Sequence, residues 1–191
     1  MDSLKKFDNI LLFGNTCSGK DTLSVFLHDN FPNLVFYHKI KSSEFIQNKN
    51  HYNVVDKIEF FNKIKKHELL QFHKRYSNYY GIEKSVINKN LLEGKHNIIH
   101  FGNVSSFLPY FINSNFHDIK ILLYSNPYKT YKRLKSRGNL DLKNRFVAYR
   151  EDVFDIYNYK KNFFDLIIDT SELTPEEVFS KVANLLDNYQ V

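Results

Sequence analysis

The chain has 191 residues, 42% of them apolar and 25% charged, which fits one domain with a full core. A single cysteine excludes a disulfide framework, so a reducing, cytoplasmic setting is expected, and neither a signal peptide nor a bilayer-spanning run is visible. The formal charge of +6 and a pI near 9.2 suit a phosphate-bearing partner, although abundant Lys, Asn, Ile, Phe and Tyr also read as a compositional bias.

In chain order, "DNILLFG" is a short apolar run closed by glycine, a buried-strand pattern. "DTLSVFLHDNF" has helical spacing at Leu23, Phe26 and Leu27, and "FPN" stops it. "LVFYHKI" reads as a second strand. From about Lys41 to Gly94 the chain turns polar, aromatic and weakly patterned, with one helix over "DKIEFFNKIKKHELL". "HNIIHFG" and "DIKILLYSN" return to buried strands. "PYKTYKRLKSRG" is a basic helix with Pro127 in its first turn, and "LKNRFVAYREDVFDIYNYKK" a longer amphipathic one. "FFDLIIDTS" is a strand. The closing helix "TPEEVFSKVANLLDNY" starts at a capping box of Thr174 and Glu177, with Pro175 at its first position. Alternating buried strands and helices predict an α/β fold with a parallel sheet of roughly five strands. The middle block, residues 38–96, is expected to be an inserted acceptor-binding subdomain within a single domain spanning 1–191.

Between the first strand and helix, "GNTCSGKDT" nearly matches the phosphate-binding pattern GxxxxGK[ST]. Gly14 and Gly19 let the backbone wrap a phosphate, the helix start aims amides and dipole at it, and Lys20 reaches the β and γ phosphates. Asp21 stands where a hydroxyl is usual. A carboxylate in a first helical turn is favoured by the dipole in any case, and magnesium also accepts carboxylates with retained waters. The cofactor segment is therefore Gly14, Asn15, Thr16, Cys17, Ser18, Gly19, Lys20, Asp21 and Thr22, with Asp21 the candidate magnesium ligand and Cys17 a small filler.

Beyond this loop the chain resembles the guanylate kinase family of P-loop nucleoside monophosphate kinases. The likeness rests on "HYNVVDKIEFFNKI", on "NYYG" within "LLQFHKRYSNYYGIEKSVINKNLLEGKHNII", on "YKRLKSRG" followed by "NRF", and on "FFDLIIDTS". It implies a P-loop NTPase fold, ATP with Mg2+, and a lid over residues 138–146. It assigns Tyr52 and Tyr80 to the acceptor's phosphate and Arg133, Arg137 and Arg145, with Lys20, to the phosphoryl group in flight.

The departures narrow the reading. Where the family has paired acceptor-phosphate arginines, this chain offers Lys39 and Lys41, with Glu44 near the second place. A lysine supplies charge without the bidentate fork. Gln71 aligns with the guanine-reading glutamate and Ile82 with its hydroxyl partner, while His100 and Gly102 replace the carboxylates ending the third sheet strand. Gln71 still offers hydrogen bonds to a base edge and stays among the expected substrate contacts, but these losses argue against tight guanine selection, because such sites discriminate through buried hydrogen bonds. "GKD" and a glycine near the end of the third strand also resemble ribose 1,5-bisphosphate kinases. His96 and His100, four apart on a strand, make no metal pair, and His73, Lys74 and Arg75 read equally as substrate contacts or a solvated basic run. The expectation is an ATP-dependent kinase whose acceptor is a nucleoside monophosphate first and a sugar phosphate second. A catalytically silent binding module is the rival. Membrane and nucleic acid are not expected partners, and the oligomeric state is left open, a homodimer included.

Overall fold

The computed structural model describes residues 5–43, 52–75, 78–137, 142–158 and 161–190. Five strands form a wholly parallel sheet: β1 (Asn9–Phe13), β2 (Leu34–Phe36), β7 (His96–Phe101), β8 (Asp118–Tyr124) and β9 (Leu166–Asp169), in the order β2-β7-β1-β8-β9. Every residue of β1 is buried, and the two-residue period sorts its side chains onto the two faces. Ile10 and Leu12 join one core with Leu23 and Leu27 of helix α1 (Lys20–Asn30) and Val178, Val182 and Leu186 of α7 (Pro175–Leu186). Leu11 and Phe13 join a second core with Ile87, Phe107 and Tyr110 on the other face.

The predicted α/β architecture and its five-stranded parallel sheet are thus present. The capping box at the start of α7 forms in both directions between Thr174 and Glu177.

Between β2 and β7 in sequence lies a second sheet of β3 (Lys39–Ser42), β4 (Tyr52–Val55), β5 (Leu69–Arg75) and β6 (Asn78–Glu83), ordered β4-β3-β6-β5. Helices α2 (Lys57–Lys65) and α3 (Lys84–Leu92) belong to the same stretch. Ile40 and Leu69 pack on Phe60 of α2, which closes one face of this sheet.

Two readings need correction. "LVFYHKI" is not one strand. Its halves serve different sheets, because the chain turns at buried Tyr37, whose amide bonds the Ile98 carbonyl and whose hydroxyl accepts from the Glu83 amide. The helix "DKIEFFNKIKKHELL" stops at Lys65. His67 takes a left-handed φ of 55°, and Leu69 and Leu70 are drawn into β5 by burial. A short 3-10 turn (Ser105–Phe107) and helix α4 (Leu108–Asn113) follow β7, where the sequence has no clear period. Helices α5 (Pro127–Ser136) and α6 (Leu142–Tyr157) complete the chain between β8 and β9.

Candidate active site

The glycine loop follows β1, the central strand, at the carboxyl edge where open parallel sheets bind ligands. Gly14 has φ 146°, and a Cβ there would lie 1.9 Å from the Leu123 carbonyl oxygen, so only glycine lets the loop pass under β8. Helix α1 begins at Gly19 with no side-chain cap, whereas Asp56, Asn126 and Thr174 cap their helices. Its first-turn amides meet no side-chain cap, as is also the case at α3, whose N-cap is Glu83.

Side chains hold the loop from behind. Asn15 is buried and turned away from the surface, its amide nitrogen 3.4 Å from Ser125 Oγ and 3.3 Å from Thr130 Oγ1. Arg133 donates to the Cys17 carbonyl at 3.1 Å and to the Thr170 carbonyl at 2.6 Å. Thr170 donates to the Ser18 carbonyl at 3.0 Å. Lys20 Nζ lies across the loop, 2.7 Å from the Gly14 carbonyl and 2.9 Å from that of Asn15. Burial lowers its pKa to about 8, against the attraction of Asp21 and Asp152.

Two cavities open on either side of this loop. The first, about 250 Å³, is lined by Thr16, Cys17, Lys20 and Asp21 from the loop and α1, and by Lys39, Tyr52, His73, Arg75 and Tyr80 from the second sheet. His100, Gly102, Arg137, Arg145 and Asp152 also line that cleft, as do Gly14 and Phe36 to His38. The second, about 210 Å³, is lined by Ser18, Gly19, Thr22 and Arg133 with Leu173, Pro175 and Val178. Cys17 and Arg137 face both.

Strand alternation explains how the second sheet reaches the cleft. Lys39 pairs with Tyr52, Lys41 with Tyr80, and Tyr80 with His73, so these side chains share the face opposite Phe60. The Tyr80 ring stacks on His73 at 5.5 Å and meets Tyr52 edge-on at 5.3 Å. Lys39 is 8% exposed, its Nζ 4.4 Å from the Phe101 ring centroid. Burial, then the charges of Lys20 and Arg75, lower it to about 7.

The expected site residues divide accordingly. Lys20, Asp21, Lys39, Tyr52, Tyr80, Arg137 and Arg145 meet in the first cleft. Arg133 lies on the second cavity and clamps the loop. Lys41 stands outside the lining, its Nζ 6.0 Å from the Tyr80 centroid. Gln71 is 1% exposed and sits behind His73, its amide nitrogen 2.7 Å from Nδ1, with its Oε1 a buried oxygen without a partner. Burial and the charges of Lys39 and Arg75 push His73 down to about 3, so the neutral ring accepts from that amide. Ile82 is wholly buried. Glu44 and residues 138–141 of the expected lid lie outside the described residues, while residues 142–146 open α6.

Sequence left Asp152 unnoticed, and named Arg75 only within a basic run and His100 only in place of a strand-end carboxylate; all three line the cleft. Asp152 shares a helical face of α6 with Arg145 and buried Ala148 and Tyr149, at spacings of three, four and seven. Arg75 Nη2 lies 3.0 and 2.9 Å from the two Asp152 carboxylate oxygens. Burial still pushes Asp152 up to about 6 against the pull of Arg75. His100, at the end of β7, places Nε2 2.7 Å from Ser24 Oγ and Nδ1 3.5 Å from Asp21, and burial lowers its pKa. The alternation from Gln71 through His73 to Arg75 was a usable signal for Arg75.

The donors fit the magnesium that the resemblance implies. The Asp21 side chain is 56% exposed at the mouth of α1, and among the described residues no three His, Cys, Asp or Glu form a cage of their own. Magnesium accepts a carboxylate together with retained waters and phosphate oxygens, and Asp21 offers an exposed carboxylate of that kind. Among the described residues no helix is long and apolar enough to cross a membrane.

The comparisons with known proteins bear on the fold and the family. Among solved structures, the guanylate kinase from Anaplasma phagocytophilum shares the fold with TM-score 0.64 at 17% identity, covering 96% of this chain and 87% of its own. An uncharacterized protein from Eubacterium ventriosum ATCC 27560 gives 0.48 at 11% identity, covering 94% and 99%. No curated protein matches the sequence. The guanylate kinase family model matches residues 7–189, and the chain belongs to the guanylate kinase family.

Proposed function

We propose that this protein is an ATP-dependent phosphotransferase that moves the γ-phosphoryl group onto the phosphate of a small acceptor, a nucleoside monophosphate first. The observation that carries this reading is the glycine loop lying between two cavities, with Lys20 beneath it and Arg137 facing both. Such a loop holds the donor's polyphosphate while its nucleoside occupies the cavity beside α7 and the acceptor occupies the cleft of the second sheet. An acceptor phosphate oxygen attacks the γ phosphorus, the bond to the β,γ-bridging oxygen breaks, and ADP leaves. Positioning and charge neutralisation do most of this work. Lys20, Arg137 and Arg145 supply positive charge around the transfer, and Tyr52, Tyr80 and Lys39 bind the acceptor. Magnesium, when bound, neutralises the β and γ phosphates, with Asp21 the side chain that would hold it.

A phosphorylated sugar is the second reading of the acceptor. It is favoured by buried Gln71 and Ile82, which leave no carboxylate at the guanine-reading positions. ADP release measured with MgATP and a panel of GMP, dGMP, AMP and ribose phosphates tests both. Turnover with at least one acceptor, abolished by Lys20→Ala without loss of fold, is the expected result. ADP release with none of them would leave a binding module instead.

A further inference from the structure

Arg75 closes the cleft from the end of β5 nearest α6. Its guanidinium lies against Gly102, where an added Cβ would sit 2.3 Å from Nη1. A bare backbone at this point gives the guanidinium its seat. The Asp152 side chain that takes its Nη2 is 2% exposed. The group is fixed from two sides, the Gly102 backbone just after β7 below and helix α6 beside it, and it still lines the cleft.

The charges around it are unbalanced. Lys20, Lys39, Arg75, Arg137 and Arg145 line the cleft against only Asp21 and Asp152. Arg75 is near enough to Lys20, Lys39 and His73 that its charge lowers the pKa of all three. Positive groups close enough to lower one another's pKa repel, and an anionic group placed among them relieves that repulsion. A guanidinium adds to this the planar fork that matches phosphate oxygens, which neither lysine has.

We propose that Arg75, held by Asp152 and seated on the bare backbone of Gly102, is a ligand of the acceptor's phosphate, acting with Lys39 as the clamp on that group. Asp152 is a positioning residue: it aims the guanidinium and does not touch substrate. The proposal rests on the phosphotransfer reading above. A bare structural role, tying the second sheet to α6, makes different predictions.

Calorimetric titrations of the whole protein separate them, with GMP and ribose 5-phosphate as acceptor probes and Mg·AMP-PNP as donor probe. Arg75→Ala should weaken the phosphomonoester that binds by about 10- to 100-fold and leave Mg·AMP-PNP within about twofold. Arg75→Lys should fall between, since it keeps charge without the fork. Gly102→Ala displaces only the flexible end of Arg75, so it should weaken the same probe with no change in melting temperature. Asp152→Asn should raise the acceptor KM more than it lowers kcat. Unchanged phosphomonoester affinity in Arg75→Ala would overturn the proposal. So would equal losses of both probes with a lowered melting temperature, or a wild-type protein saturated by neither phosphomonoester while Mg·AMP-PNP binds. If Mg·AMP-PNP fails to bind the wild type, the phosphotransfer reading falls instead.

Discussion

Lys39 carries a testable pH dependence. Its buried ammonium, facing Lys20, Arg75 and neutral His73, titrates at about 7, below its ordinary 10.5. The folded protein therefore binds fewer protons here than the unfolded chain. The cost of the buried charge is fully present below about 7 and is relieved as pH rises towards 10.5. A phosphate dianion reverses this by favouring the charged form. Acceptor binding at pH 8 should take up protons, measured by calorimetry in buffers of different ionisation enthalpy, and affinity should fall as pH rises above about 7. Lys39→Met should reduce that uptake; undiminished uptake would place the titration elsewhere. Lys39 was legible in sequence as a cation near the acceptor, but its burial was not, because the second sheet and Phe101 that enclose it come from distant parts of the chain. Arg75 was legible only as part of a basic run, since its partner Asp152 lies 77 residues away.

The strand, loop and helix at the start of the chain form the element on which the site depends. Its pattern could be read directly, because all-buried β1 and the positive-φ glycines follow from local sequence. Gly14→Ala should destabilise the protein by at least about 2 kcal/mol, from strain at positive φ and a Cβ driven into the Leu123 carbonyl. The midpoint of denaturant unfolding measures this, and an unchanged midpoint would mean the loop can move away from β8. Elements fixed by tertiary contacts were read less well. The break at Tyr37 needs Ile98 and Glu83, and the early end of α2 needs the burial of Leu69 and Leu70 in another sheet. Strand alternation placed Lys39 and Lys41 on one face, yet only Lys39 lies deep enough to line the cleft.

At the scale of the whole molecule, two sheets and two cavities meet at one loop, while a polar cluster ties the far edge of the main sheet together. There Asn9 donates to Asp118 at 2.8 Å and to the Tyr110 hydroxyl at 3.2 Å, and Asn97 donates to Asn9 at 2.8 Å. Burial pushes Asp118 up from 3.8 to about 6, against the pull of its hydrogen bonds. A raised folded pKa means the folded protein holds this proton more tightly, so the contribution is present at low pH and is lost as pH rises through about 6. Asp118→Asn removes that step. The stability of the variant relative to wild type should rise between about pH 4 and 7, and a constant difference across that range would contradict the assignment.

The central claim is that the amides at the mouth of α1, with Lys20, bind a nucleotide's polyphosphate. Titrating Mg·AMP-PNP into the wild type and into Lys20→Ala tests it most directly. Saturable one-to-one binding, weakened by about 100-fold or more in the variant while its melting temperature holds, is the predicted result. Equal affinity in both proteins, or no binding by the wild type, would contradict it.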